Sequence, residues 1–413
     1  MRNQVAITGL GVISPIGLDA AAVAASLREA RSGIRLVHVP PIERGFAAGA
    51  IDASFEGSFT KLELPFLDRC QQMAVLAARQ AVADAGLDPL LDKYGGRAGV
   101  YYGNVNGGTT AEQAWFQQML LEQKQAARPY TIMAIMGNAG AAQLALRHKV
   151  LGPVITNGTA CGSSGVSIGD AARAIADGYL DVAIAGGAES TITASVLGVF
   201  QGTRAMSAPD PDDVSRTCKP FAANRSGLVL GEGSAFLVLE SAALAHARGA
   251  RCHGYLTGYG ISNDAHHIGM PFAEGQVRAL KAALQDAALA PGDIAYVNAH
   301  ATATEGGDVI ESAALREVFG AGPDAAAVSS TKSVHGHLLG ATSALELVVT
   351  LLAMNESLLP ASAHLESVDP RCELNHVGPR PVPGRPIEHA LSFSCGFGGT
   401  NVALVVSRSP SSR

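Results

Sequence analysis

The residues of this chain best suited to chemistry are a cysteine, two histidines and a lysine, each placed where a β-type run ends. Cys161 stands in Ile155-Thr156-Asn157-Gly158-Thr159-Ala160-Cys161-Gly162-Ser163-Ser164-Gly165. A β-branched run from Val154 to Thr156 leads into this corner. Beyond it Val166, Ile168, Ala171, Ala172, Ile175 and Ala176 recur at helical spacing until Gly178. A cysteine at a strand-to-helix corner meets free backbone N–H groups and the positive end of the helix dipole, and both favour the thiolate. Small neighbours at Gly158, Ala160, Gly162 and Ser163 leave space for a substrate carbonyl, and the Cys161 N–H can face the oxyanion formed on attack. The same local pattern also fits a small buried cysteine or a phosphate cradle, so the rest of the chain must decide.

Three further stretches bear on that decision. His300 follows Tyr296-Val297-Asn298-Ala299 in a loop that continues Ala301-Thr302-Ala303-Thr304-Glu305-Gly306-Gly307-Asp308. Lys332 and His337 lie in Ser329-Ser330-Thr331-Lys332-Ser333-Val334-His335-Gly336-His337-Leu338-Leu339-Gly340, ahead of a helix that carries Glu346. The last is Ser394-Cys395-Gly396-Phe397-Gly398-Gly399-Thr400-Asn401. A lone histidine or lysine is more often structural or solvated than catalytic. Four strand ends bearing such groups point to one active site, because ligands of open α/β sheets bind beyond the carboxyl ends of strands.

Strands and helices must alternate to place these ends together. In the first half the pattern predicts strands at Gln4 to Thr8, Arg97 to Tyr102, Val154 onward and Asp181 to Ala185, with a turn at Gly9-Leu10-Gly11 and an irregular stretch over residues 35–60. Helices are predicted at Asp19 to Ala30, Asp68 to Ala85, Thr110 to Gln123 and Met136 to Leu146. The alternation reads as a parallel sheet covered on both faces. A second round runs through strands at His253 to Gly260, Tyr296 to Ala299, Ala327 to Ser330, Ala390 to Ser394 and Asn401 to Ser407, which predicts a duplicated order. Gly9-x-Gly11-x-x-Ser14 lacks the third glycine of a dinucleotide-binding turn, and no acidic strand end follows at the right distance.

The chain has 413 residues, 47 of them glycine, with 47% hydrophobic and 16% charged residues, which suits a thickly layered α/β core. A net charge of −6 with no basic run argues against nucleic acid or an anionic membrane as partner. Six cysteines form no ligand cluster of zinc spacing, so free thiols in a reducing cytoplasm and no metal are expected. The first residues fit neither a signal peptide nor a membrane span.

Over essentially its whole length the sequence resembles the β-ketoacyl-acyl carrier protein synthases, the condensing enzymes of fatty acid and polyketide synthesis. The Thr-Ala-Cys corner, the N-A-H-x-T-x-T-x-x-G-D stretch, the S-x-x-K-S-x-x-G-H-x-x-G-A stretch with its following glutamate and the G-F-G-G-T-N run stand in that family's order and spacing. The resemblance implies an α/β thiolase-like fold of two pseudo-duplicated halves in five layers, αβαβα, divided here at 1–250 and 251–413, and a dimer. It implies that Cys161 takes an acyl group from a carrier-protein thioester and that His300 and His337 hold the malonyl thioester as CO2 leaves. Lys332 orders that site, with Glu346 as its ion-pair partner. Thr302 and Thr304 hydrogen-bond the phosphopantetheine arm, and Phe397 is the gating aromatic whose backbone N–H joins that of Cys161 in the oxyanion hole. No cofactor is implied, since the substrates ride on acyl carrier protein.

Departures from the family shape further expectations. Ala301 and Ala303 stand where glycines are usual, and His335 occupies a position usually small or hydroxylic. Val105 and Asn106 replace a glycine and an aliphatic residue in the wall of the acyl pocket, where Phe200 also belongs, so a short, polar or unsaturated acyl group is expected; the alternative is that Asn106 caps a turn. The segment from Lys61 to Arg69, basic in many relatives where the carrier docks, carries Leu62, Leu64, Phe66 and Leu67, which leaves Arg204 as the carrier-phosphate contact. A chain-length-factor subunit is then a plausible heterodimer partner, the alternative being a homodimer. Two rival readings of the chain itself remain: a non-catalytic subunit of that type, and a non-decarboxylating thiolase with Cys395 as the second thiol.

Overall fold

The computed structural model describes residues 2–88 and 94–410. Five strands come from the first half of the chain, β1 (Val5–Ile13), β2 (Ala98–Gly103), β3 (Val154–Asn157), β4 (Val182–Glu189) and β5 (Gly233–Ser241). Five come from the second, β6 (Gly254–Asn263), β7 (Tyr296–Asn298), β8 (Ala327–Ser329), β9 (His389–Cys395) and β10 (Thr400–Ser407). They lie edge to edge in the order β8-β7-β9-β10-β6-β1-β5-β4-β2-β3. Counted within its own five, each half therefore has the order 3-2-4-5-1. The two first strands meet antiparallel at the middle, Val5 to Ile7 opposite Leu256 to Gly254. The duplicated order read from the sequence is thus present in space.

The direction of the strands departs from expectation. β3, β2 and β4 are parallel, but β5 runs antiparallel to β4 and to β1. The second half repeats this, with β8, β7 and β9 parallel and β10 antiparallel to β9 and β6. A parallel neighbour needs a crossover that carries the chain back to the same end of the sheet. The short connection from β9 to β10, Gly396 to Gly399, cannot do that, and it forms a hairpin instead.

Helices complete the layers. α1 (Arg69–Asp84) covers the outer face of the first half against β1, β5 and β4. α2 (Ser163–Ala176) and α5 (Thr342–Glu356) pack against each other between the two halves. α3 (Ala273–Ala287) covers β6 and β10 on the far side, and α4 (Glu305–Phe319) packs beside it. The result is helix, sheet, helix, sheet, helix. α5 buries 12 of its 15 residues, including Leu345, Leu347, Val348, Val349 and Leu351, because both its faces meet protein. Leu339–Glu356 is the one stretch among the described residues long and apolar enough to cross a membrane, and its window is 83% buried inside the protein.

Two local expectations are corrected. Gly9 and Gly11 are not a turn; they lie inside β1, which runs on to Ile13. A side chain there would meet α1 directly, since a Cβ at Gly9 would stand 2.0 Å from Ala81 O and one at Gly11 1.8 Å from Ala77 O. The glycines therefore let helix and strand approach closely. Residues 35–60 are not wholly irregular either: Ile34–Val37 pairs antiparallel with Phe46–Gly49, which pairs with Leu230–Gly231. Strands of two to four residues are too short to show a period of two.

Candidate active site

Cys161 sits where β3 hands over to α2, in a single 3-10 turn, Ala160–Gly162. Ala160, just before it, has φ +50°, a left-handed conformation that strains any residue with a Cβ and throws the next side chain out of the corner. Ser163 ties the corner shut: its Oγ accepts from Thr159 N at 2.9 Å and donates to Ala160 O at 2.6 Å. From the opposite half, Ala344 N at the start of α5 donates to Ser164 Oγ at 3.0 Å.

His337 arrives through a different device. The chain from Lys332 to Gly340 passes beside the strand residues 229–231, with His337 N donating to Val229 O at 2.7 Å and Gly231 N donating to His337 O at 2.8 Å. That grip puts His337 Nε2 3.0 Å from Cys161 Sγ. Its Nδ1 lies 2.9 Å from Thr342 Oγ1. The tautomer with its proton on Nδ1 donates to Thr342 and leaves the Nε2 lone pair for the thiol proton. His300 comes from the end of β7, its ring 5.2 Å from that of His337 and nearly perpendicular at 85°. The Cys161 sulfur and one ring nitrogen from each histidine lie within 4.8 Å of one another. His300 Nδ1 is buried without a hydrogen-bond partner among the described residues.

Lys332 is wholly buried, its Nζ 2.6 Å from Glu346 Oε1, with both side chains 0% exposed. Burial pushes the Glu346 carboxyl up to about 7 against the pull of the lysine. Burial also drives both His300 and His337 well below the ordinary imidazole value, and the Lys332 charge adds to the effect. Both rings are therefore neutral at physiological pH. Burial raises the Cys161 thiol to about 11, opposed by Lys332 and by the backbone N–H groups of Phe397 and Cys161, which both lie against the sulfur. In the free chain desolvation outweighs the helix terminus, so the thiol needs the neighbouring imidazole as a base.

The remaining expected residues divide into those that join the site and those that stand apart. Thr302 and Thr304 have hydroxyls 3.1 Å apart beside His300. Ala303 between them has φ +65°, the left-handed region that a glycine would occupy freely. Its methyl is fully buried among Ile34, Ala47, Cys218 and Val229, which holds the strained turn in place. Phe200, on the helix Ala194–Gly202, packs into the same apolar cluster as Cys161, with Phe46, Val196, Leu197 and Leu339. Val105 and Asn106 lie outside that cluster and are exposed on this chain, while the Asn106 side chain also hydrogen-bonds the buried Glu189. Arg204 is exposed beyond the end of the Phe200 helix. Along the segment from Lys61, Leu62 is 84% exposed, but Leu67 is buried, Phe66 stacks on Tyr130 at 4.5 Å, and Arg69 is engaged by Glu232 at 2.8 Å. That face is less apolar than its sequence implies.

His335 has a structural place. Its Nδ1 donates to Gly336 O at 2.7 Å, and its Nε2 accepts from Thr331 Oγ1 at 3.1 Å. Cys395 packs against the outer apolar cluster of the second half, near enough to Cys161 and Lys332 for their charges to act on its thiol.

Three buried charged residues hold the site and were not picked out from sequence. Glu311 on α4 receives His300 N and Ala301 N, each at 2.7 Å, so one carboxylate fixes the histidine loop. Glu189, at the end of β4, accepts from Val105 N at 2.7 Å, Asn106 N at 3.1 Å and Gly340 N at 3.2 Å. It thereby ties the 104–106 turn to the turn that follows His337. Arg225 clasps the other end of the threonine loop, donating to Thr304 O at 3.1 Å and Glu305 O at 2.6 Å while Asp369 balances its charge at 2.7 Å. A glutamate three residues beyond Asp308 on one helix is the sole sequence signal for any of them. Its target, a pair of backbone N–H groups, is invisible until the loop folds.

Comparison with known proteins identifies the family of the chain. Residues 2–245 match the model of the β-ketoacyl synthase N-terminal domain and residues 253–366 that of the C-terminal domain. The chain is 36% identical over 409 residues to 3-oxoacyl-[acyl-carrier-protein] synthase 2 of Staphylococcus aureus (strain N315), covering 98% of each. Among solved structures it superposes on the ishigamide ketosynthase/chain length factor with a TM-score of 0.92 at 32% identity, covering 99% of this chain and 100% of that one. It also superposes on a type II polyketide synthase acyl-carrier protein in complex with its ketosynthase, bound to the hexaketide, with a TM-score of 0.90 at 25% identity, covering 99% and 100%.

Proposed function

Because the chain belongs to the β-ketoacyl synthase family, we propose that it condenses an acyl thioester with malonyl-acyl carrier protein, with loss of CO2, in fatty acid or type II polyketide synthesis. The observation that carries this reading is the meeting of Cys161 Sγ with the ring nitrogens of His337 and His300 in one buried space.

In the first step the Cys161 sulfur attacks the acyl carbonyl, its proton passes to His337 Nε2, and the carrier thiol leaves with a proton. The N–H groups of Cys161 and Phe397 receive the oxyanion. In the second step the malonyl thioester occupies the space beside the two imidazoles and the C–C bond to its carboxylate breaks. The electron pair forms an enolate whose oxygen accepts from the N–H of His300 and, once the Thr342 hydroxyl turns to donate to His337 Nδ1 so that the proton sits on Nε2, from that of His337. The enolate carbon then attacks the acyl-Cys161 carbonyl, the C–S bond breaks, and the thiolate is restored. Splitting one condensation into two thioester steps is what a soft nucleophile supplies. No metal or redox cofactor belongs to this reading. Thr302 and Thr304, at the mouth of the His300 loop, bind the pantetheine arm. The halves 1–250 and 251–413 divide the work, the first bringing the nucleophile and the second the lysine and both histidines.

Acyl carrier protein is the substrate's bearer, contacted by Arg204, and the protein works in the cytoplasm as a dimer with a copy of itself or a chain-length-factor subunit. The edge strand β3 supports a second chain, since Val154 and Ile155 are 42% and 40% exposed on it and no strand among the described residues pairs with its outer edge. The likeness to a ketosynthase solved with a chain length factor supports the heterodimer. Keeping Cys161 separates this chain from a non-catalytic subunit. The acyl group is short, polar or unsaturated, a reading supported by Val105 and Asn106 on the turn that Glu189 ties to the catalytic histidine.

Mass spectrometry of the acyl group carried on Cys161, after purification with native partners and after loading across a chain-length series, tests the proposal. A short or polar acyl adduct is expected. Efficient loading of long saturated chains overturns the substrate reading, and no adduct on Cys161 at all overturns the function.

A further inference from the structure

Zinc-type spacing is missing from the sequence, yet the fold assembles zinc-type ligands. One thiol and two imidazoles present their sulfur and nitrogen atoms within 4.8 Å of one another, the closest pair, Cys161 Sγ and His337 Nε2, at 3.0 Å. We propose that Cys161, His300 and His337 form a site for a thiophilic divalent cation of the Zn2+ class, whose occupation blocks the nucleophile.

Bond lengths of about 2.3 Å to sulfur and about 2.0–2.1 Å to imidazole nitrogen in a tetrahedral site place neighbouring ligand atoms roughly 3.3–3.6 Å apart. The observed separations bracket those values, so side-chain shifts of about 1 Å close the site without moving the backbone. His300 Nδ1 is buried with no hydrogen-bond partner among the described residues, so turning that ring toward a metal breaks no contact at this atom. His337 Nδ1 is already held by Thr342, the outer contact that orients a ligating imidazole. The buried ammonium nearby, Lys332, is paired with Glu346 at 2.6 Å, which limits its repulsion of a cation. Three protein ligands leave the fourth position of a tetrahedron for water.

Binding is balanced by one proton: the Cys161 S–H bond breaks, a sulfur–zinc bond forms, and the proton leaves to solvent. Neither histidine changes charge. A cation seated there occupies the sulfur lone pair that attacks the acyl carbonyl, and it competes with the acyl group for the same atom.

Titration of the intact protein with Co2+ tests the site directly, because a thiolate ligand gives an intense near-ultraviolet charge-transfer band and a tetrahedral site gives strong visible bands. Both are expected with the wild type, at one ion per chain, and both should vanish in Cys161→Ala. Zn2+ should displace the Co2+ signal and slow alkylation of Cys161 by iodoacetamide at least tenfold, with recovery on adding a chelator. His300→Asn should lose most of that protection. The exposed pair His266 and His267 is the competing surface site, and H266A/H267A should bind as the wild type does. Retention of the thiolate band in Cys161→Ala, undiminished alkylation under Zn2+, or loss of binding in H266A/H267A overturns the proposal. None of these measurements involves condensation, so they stand apart from the test of the catalytic reading.

Discussion

The ammonium of Lys332 lies 2.6 Å from the carboxylate of Glu346 with neither side chain reaching solvent, and Glu346 Oε2 has no other partner among the described residues. The pair is thus closed on itself, and the ammonium is the member whose charge reaches the imidazoles and the thiol.

Removing one member leaves the other charge buried alone. Lys332→Met and Glu346→Gln should each lower stability, by about 3–5 kcal/mol for the lysine, whereas the double variant should recover a large part of that loss. Chemical denaturation of the three variants checks it; strict additivity would show that the two groups do not interact. Lys332→Met should also slow alkylation of Cys161, since its charge draws the thiol toward ionisation.

Cys161→Ser should abolish the acyl-enzyme seen by mass spectrometry while leaving the fold intact, because a hydroxyl occupies the same corner but is a far weaker nucleophile toward a thioester. Loss of CO2 from malonyl-acyl carrier protein should continue in Cys161→Ala, since His300 and His337 remain. An adduct on the serine variant would contradict the assigned nucleophile.

Cys395 packs against the outer apolar cluster of the second half, and burial with the nearby Glu311 and Asp264 pushes its thiol well up, away from the thiolate a second base would need. Cys395→Ser should therefore keep condensation within about threefold of the wild type, measured as CO2 release; collapse of activity would favour the thiolase chemistry that uses a second thiol.

Gly396 stands over the oxyanion site. A Cβ there would come within 3.0 Å of Thr159 O, 3.2 Å of Ala160 Cβ and 3.3 Å of Cys161 N. Gly396→Ala should push the Phe397 N–H away from the sulfur and reduce kcat by ~10²-fold, as loss of an oxyanion donor does. Alkylation of Cys161 should survive, and equal loss of both would mean that the corner itself had collapsed.

Stability should fall as pH rises from about 6.5 to about 8. Burial and the neighbouring Asp308 raise Glu311 from 4.5 to about 8, so above its unfolded value the unfolded chain gives up a proton that the folded chain retains. The folded state thus binds more protons over that window, and rising pH favours unfolding. Below about 6.5 the two histidines, depressed in the folded state, oppose the trend. Urea midpoints at pH 6.5 and 8 should show the decline in the wild type and a shallower one in Glu311→Gln, by roughly 1.4 kcal/mol per pH unit for one proton. An unchanged slope would mean that Glu311 is ionised in the folded chain throughout.

Much of the molecule was legible in its residues. The alternation of apolar runs placed nearly every strand of the large sheet, and the duplicated order followed from it, because period and breakers are local properties of the chain. The candidate nucleophile, both histidines and the lysine were legible too, since each stands at the end of a β-type run in a motif of uncommon composition, and the resemblance those motifs carry added Glu346 on the helix that follows. Strand direction was not, because it depends on where a connection returns the chain. Nor was the role of Glu311, Glu189 or Arg225, whose partners are backbone groups far away in sequence. The four motifs together, not any one local pattern, marked which atoms could react. Only the tertiary structure decided that Cys161 and His337 meet at 3.0 Å and that burial makes the imidazoles neutral and the thiol reluctant, because distance and desolvation are properties of the packed chain and not of its order.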